Sequence, residues 1–203
     1  MMNVLILGGA QACGPGLPNG KSYLDQFARR LRSFRHPIQL DHRPVSLEEA
    51  VKLLPRLPLS DYDLILLQFD FSMEWIPAKP LDRLLLHGLI RLKGHQFSRL
   101  KLLREQLVKV LLQVRVYNRQ VVLMTPLPHR RGLERSLLQL AQAIYLQESR
   151  EWQVTLFDVG QHLVGGDELF QDDSANRLSA VAHELLGSEL HTFITEPTYT
   201  IWS

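Results

Sequence analysis

The stretch Asn3–Gly16, NVLILGGAQACGPG, decides the fold. Asn3 to Leu7 is an uninterrupted apolar run closed by glycine, the pattern of a strand covered on both faces. Gly8 to Gly16 is an irregular, glycine-rich turn. In an α/β protein, this is where the first strand delivers the chain to the ligand edge of the sheet. The glycines lack the spacing of a dinucleotide fingerprint. Gly20-Lys21-Ser22 looks like the end of a phosphate-binding loop, but Pro15 stands where that motif needs its first glycine. Ala10-Gln11-Ala12-Cys13 has the outline of a leader cleavage site. No basic segment precedes it, and Val4 to Leu7 is shorter than the roughly 7–15 apolar residues a leader carries, so a buried first strand is the preferred reading.

Further along, strands and helices alternate. Ser22 to Phe34 has helical spacing, with Tyr23, Phe27, Leu31 and Phe34 on one stripe and Arg29, Arg30 and Arg32 on the wet side. Pro37 to Leu40 reads as a second strand. Ser46 and Glu49 form a capping box that opens a helix carrying Leu47, Val51 and Leu54, and Pro55 helps end it. DLILLQF (Asp63–Phe69), QVVLM (Gln120–Met124) and WQVTLFDV (Trp152–Val159) read as further strands. Gly132 to Gln147 and Ser179 to Leu186 read as helices. This order argues for a parallel sheet with helices on both faces and all strand C-termini at one edge.

The 203 residues fit one domain covering 1–203, and 45% hydrophobic with 22% charged residues is an ordinary globular composition. No apolar run approaches the roughly 20 residues needed to span a bilayer, so no membrane partner is expected. The single cysteine, Cys13, excludes an internal disulfide framework and a multi-cysteine zinc site, and it fits a reducing, cytoplasmic setting.

A net charge of +2 hides an asymmetry. The helical segment at about 81–117 is basic, with Arg83, Arg91, Lys93, Arg99, Lys101, Arg104, Lys109 and Arg115. Leu100, Leu103, Leu107, Leu111 and Val114 share its apolar face, read as core. The C-terminal part is acidic, with Glu148, Glu151, Asp158, Asp167, Glu168, Asp172, Asp173, Glu184 and Glu189. The basic face reads as solvated, or as docking on the acidic half of a second copy in a homo-oligomer. A polyanion-binding module is the sharper alternative, but no nucleic-acid motif accompanies it. The tail, 191–203, reads as a loose extension or an edge strand.

Taken in order, the strand-end segments resemble the SGNH/GDSL hydrolase family over most of the chain. Gly8-Gly9-Ala10-Gln11-Ala12-Cys13-Gly14 matches the family's first block, Gly-Asp-Ser. Asp70-Phe71-Ser72-Met73 matches the third block, Gly-x-Asn-Asp. Leu169 to Asn176, followed by a helix with His183, matches the last block, Asp-x-x-His. The resemblance implies a three-layer α/β/α, flavodoxin-like sandwich with a parallel sheet. It also implies that Ala10 stands at the nucleophile position, Asn176 at the histidine position and Ser72 at the oxyanion asparagine, with Asp173 retained. No convincing match to the second-block glycine lies around His42 to Ser46.

A serine esterase needs a hydroxyl nucleophile, a base and oxyanion donors. Alanine has no nucleophilic atom, and asparagine is no base near neutral pH. Asp173 without a histidine to orient has no triad role. The expectation is therefore a degenerate member of the family, without cofactor or metal. It would keep a strand-end cleft for a small molecule or protein, with Gln11, Asp70, His129 and His183 as lining candidates. A recruited catalytic group among Cys13, His129 and His183 is the alternative. The blander readings are a buried inert thiol for Cys13, a solvated loop for His129 and a packed helix residue for His183.

Overall fold

The structure, a computed structural model, describes residues 1–33, 37–71, 73, 75–116, 120–130, 132–172, 174 and 176–196, the side chains of residues 33 and 95 excepted. Five strands, β1 (Met2–Gly8), β2 (Ile38–Pro44), β3 (Leu64–Gln68), β4 (Gln120–Met124) and β5 (Thr155–Phe157), form one sheet in the order β2-β1-β3-β4-β5, with every pair parallel. This is the flavodoxin-like order, with its switch point between β1 and β3. The helices are α1 (Tyr23–Ser33), α2 (Leu47–Leu53), α3 (Pro80–Lys93), α4 (Ser98–Arg115), α5 (Gly132–Glu151), α6 (Val159–His162) and α7 (Ala180–Thr195).

The period of two along each strand sorts its side chains into two cores. Leu5, Leu7, Ile65, Leu67, Val121 and Leu123 pack with α2, α4 and α5. Val4, Ile6, Leu64, Leu66, Val122 and Met124 pack with α1 and α7 on the opposite face. Both faces of β1 and β3 are therefore buried, which is why these strands are apolar without alternation. Ser46 caps α2 as expected: its hydroxyl accepts from the Glu49 N–H, and Glu49 reaches back to the Ser46 N–H.

Several boundaries differ from expectation. The strand read at Pro37–Leu40 extends through Pro44, because its Asp41, His42 and Arg43 stay in register with β1. WQVTLFDV yields only Thr155–Phe157 as strand, since Trp152 belongs to the turn ending α5 and Val159 opens α6. The basic segment is two helices, broken at Gly94, whose φ of 50° is in the region only glycine enters readily. The tail does not begin at His191: Leu190 is buried and α7 runs on to Thr195, while 197–203 fall outside the described residues.

Part of the charge asymmetry is also answered within the chain. Arg83 pairs with Glu134 at 2.6 Å, and Arg104 pairs with Glu148, both across to α5. Neither arginine belongs to a purely solvated face.

α1 and α7 touch through Gly187. A Cβ there would lie 2.7 Å from the Tyr23 carbonyl oxygen and 2.6 Å from the Gln26 Cβ. Backbone cannot yield as a side-chain tip can, so Gly187→Ala is expected to destabilise by about 2 kcal/mol through overpacking. A lower urea midpoint with unchanged slope would be the signature; an unchanged midpoint would refute the close approach.

Candidate active site: a cleft at the strand ends

β1 ends at Gly8, and Gly9 extends its ladder by donating to the Gln68 carbonyl at 3.0 Å. One turn of 3-10 helix, Ala10–Cys13, then lifts the chain over the sheet edge, with Ala12 buried beneath it and Ala10 exposed above. Asp70, just past β3, comes up beside this turn. A Cβ on Gly9 would fall on the Asp70 carboxylate, so the missing side chain at position 9 is what admits the carboxylate. Its Oδ1 accepts from Gln68 Nε2 at 3.0 Å, and its Oδ2 accepts from the Gln11 N–H at 3.4 Å. Surrounding protein pushes the Asp70 carboxyl above the ordinary carboxylate range, against the lowering effect of those two donors. Asp70 is nevertheless exposed at the mouth of the cleft.

Below it the network continues through buried Gln68 to the Tyr23 hydroxyl, 3.5 Å from Gln68 Oε1. Burial, then the nearby Asp70, pushes the Tyr23 phenol far above its usual value, so it stays a protonated donor.

A cavity of about 610 Å³ opens here. Gly9, Ala10, Gln11, Asp70, His129 and Asn176 all line it, although they come from four separated segments of the chain. The fold thus brings together most of the positions picked out in the sequence. Ser72 and Asp173 lie outside the described residues.

Two expectations fail. His183 is 1% exposed and not in the cleft: its Nδ1 accepts the Tyr23 N–H at 3.0 Å, between α1 and α7. The helix register turns it toward α1, which makes it a packing residue. Cys13 is not buried. It is exposed, with Sγ 3.5 Å from His42 Nδ1, because the turn places it on the outer side while Ala12 takes the core position. Partial burial and then Asp25 push its thiol above the usual value, and burial lowers His42, so the pair rests as a neutral thiol and imidazole. That is the unactivated form of a cysteine.

The sequence reading missed other walls of the cleft. Glu134 lines it from the first turn of α5 and is 4% exposed. Burial would raise its carboxyl, but Arg83, a backbone N–H and His129 outweigh that and hold it below the usual range. An acidic residue in a helix's first turn is the only signal that marked it. Ser46 and Glu49 also line the cleft, recognisable beforehand only as a cap. Val45, Phe71, Leu127 and Leu138 supply apolar wall.

Ser46 is the only hydroxyl among the described lining residues, and it is committed: its Oγ donates to Glu49 Oε2 at 2.8 Å. Among the described residues no group of three or more His, Cys, Asp or Glu side chains is placed to hold a metal ion. No described helix is long and apolar enough to cross a membrane.

A parallel β2-β1-β3-β4-β5 sheet between two helical layers, with a cleft over the ends of β1, β3 and β4, is the fold of the SGNH/GDSL hydrolases. TesA superposes with a TM-score of 0.68 at 14% identity, over 96% of this chain and 98% of that one. A psychrotrophic esterase, EstA from Pseudoalteromonas sp., gives 0.65 at 19% identity, over 96% and 97%. Axe2, an acetylxylan esterase from Geobacillus stearothermophilus, gives 0.68 at 14% identity, over 96% and 94%. No family model matches the chain, and no curated protein matches it significantly.

Proposed function

We propose that this protein is a ligand-binding member of the hydrolase fold that lacks ordinary serine-esterase turnover. The observation that carries the reading is the convergence of Ala10 and Asn176 on one cleft. The positions that the resemblance assigns to nucleophile and base occupy the place where the fold does chemistry, and neither residue can play its part. The commitment of Ser46 to its helix cap, the distance of His183 from the cleft and the neutral Cys13 thiol all support the same reading.

What remains is a cavity built to hold something. Asp70 and Glu49 put carboxylates on its walls, Glu134 being neutralised by Arg83, and Gln11 Oε1 is buried without a hydrogen-bond partner. Such walls favour an occupant that brings N–H or O–H donors over an anion, with an apolar part against Phe71, Leu127 and Leu138.

Purified protein is expected to release p-nitrophenol from p-nitrophenyl acetate and butyrate no faster than the uncatalysed background. Turnover at ordinary enzyme rates would overturn the proposal. A fragment screen by ligand-observed NMR addresses binding: fragments bearing amines or hydroxyls are expected to bind the wild type and to bind Ala10→Trp more weakly, since the added indole would take up part of the cleft. Equal behaviour of the two proteins would remove the cleft as the binding site.

A further inference from the structure

Helix α3 is apolar on two sides, and the described residues cover only one of them. Ile90 is 2% exposed and Leu86 packs against the core beside it, which gives the helix its docked face. On the other side Leu81, Leu84, Leu85 and Leu92 are 68%, 68%, 66% and 84% exposed, and Leu89 is 40% exposed. At 100° per residue these five leucines and Gly88 fall within a continuous arc of about 140°, as wide as the core stripe of an ordinary amphipathic helix. Single exposed leucines are common, but a whole helix face of them marks a surface meant to be covered.

The charges around the arc identify the cover. Lys79 precedes the helix, and Arg91 and Lys93 lie in its last turn, all exposed, with Asp82 the only acidic residue on α3. A second copy presenting the same face would set these cations against each other. An anionic lipid surface would meet both features, taking the leucines between acyl chains and the cations among headgroups. The length agrees with a helix lying in the interface. Its 14 residues rise about 21 Å, short of the roughly 30 Å hydrocarbon core, so it cannot span. Its convex, continuous face suits a deformable surface, whereas a protein partner would have to offer a matching groove.

We infer that α3 docks this protein on anionic membrane surfaces through the Leu81–Leu92 face. The Arg83–Glu134 pair ties this helix to α5 on the side away from the leucine face. The expectation of no membrane partner rested on the absence of a spanning segment, a criterion blind to a helix that lies flat.

Vesicle flotation tests this with phosphatidylcholine alone and with an equal mixture of phosphatidylcholine and phosphatidylglycerol. The wild type is expected to float with the mixed vesicles, to float much less with phosphatidylcholine alone, and to be released by salt. Combining Leu85→Asp with Leu92→Asp is expected to reduce partitioning by roughly tenfold or more, with the melting temperature unchanged because both positions are exposed. Combining Arg91→Glu with Lys93→Glu is expected to abolish the preference for anionic vesicles while sparing the leucines. Ala10→Trp should float like the wild type, which separates this surface from the cleft. A wild type that stays at the bottom with mixed vesicles overturns the inference, as does a leucine variant that floats equally well. Light scattering that finds a dimer, broken by the leucine variant without any flotation, would assign the face to a second copy instead.

Discussion

The protein is expected to lose about 3 kcal/mol of stability through His183 alone as the pH falls from 6.5 to about 4. His183 sits on α7 at 1% exposure, its ring stacked on Tyr23 with centroids 5.9 Å apart. Its Nδ1 accepts the Tyr23 N–H, which requires that nitrogen to be unprotonated. Burial therefore pulls its pKa down to about 4, and the nearby Asp25 offsets this only in part.

The sign follows from proton counting. Between pH 6.5 and about 4 the unfolded histidine takes up a proton that the folded one refuses, so the unfolded state gains. The full contribution is present above 6.5 and drains away below it. Urea melts near pH 7 and near pH 4, on the wild type and on His183→Gln, isolate the effect from other titrating groups. Glutamine keeps an oxygen for the Tyr23 N–H but does not titrate. The variant is expected to show the shallower pH dependence by about that amount, and parallel losses in both proteins would sink the argument.

Replacing Arg104 by methionine is expected to cost about 3 kcal/mol. Its partner Glu148 has a side chain only 1% exposed, holding Arg104 Nε at Oε1 and the Trp152 indole N–H at Oε2, the latter at 3.1 Å. Removing the arginine strands Oε1 of a buried carboxylate. The figure sits at the low end of the usual range for broken buried pairs because the Arg104 side chain is 47% exposed and the site admits water. Removing charge from the other side should cost less. Glu148→Gln keeps one acceptor oxygen, so only one of the two neighbouring donors retains its bond, but it buries no unpaired charge and leaves the cation half in solvent, so a smaller loss of about 1–2 kcal/mol is expected. The order of the two losses, measured by urea denaturation, is the test: a larger loss in Glu148→Gln would show that the buried carboxylate does not govern the pair.

The same residue pairs show what sequence patterns can and cannot carry. Val4 to Leu7 and Leu64 to Leu67 are apolar without alternation because both faces of a central parallel strand are covered, and that requirement is written into consecutive residues. The Ser46 cap is equally local, since hydroxyl, N–H and carboxylate all lie within four positions. Arg104 and Glu148 are 44 residues apart, and nothing in either neighbourhood names the other. His183 illustrates the same limit, because a histidine on an apolar helix looks alike whether it faces a cleft or a neighbouring helix. Cys13 and Ala12 differ by one position in a 3-10 turn, and only the turn's direction decides which is buried.

By itself, the sequence determined the layered α/β architecture, the glycine-rich turn at the edge of the sheet, and the absence of nucleophile and base from the positions where the resemblance looks for them. These follow from local chemistry: strand periodicity, turn stereochemistry and the identity of single side chains. Only the tertiary structure decided that Ala10, Asp70, His129 and Asn176 share one cavity, that Glu134 joins them, that His183 does not, and that the described residues leave one face of α3 uncovered. Each of these depends on which segments the crossovers bring side by side, a relation between residues far apart in the chain that no window of sequence contains.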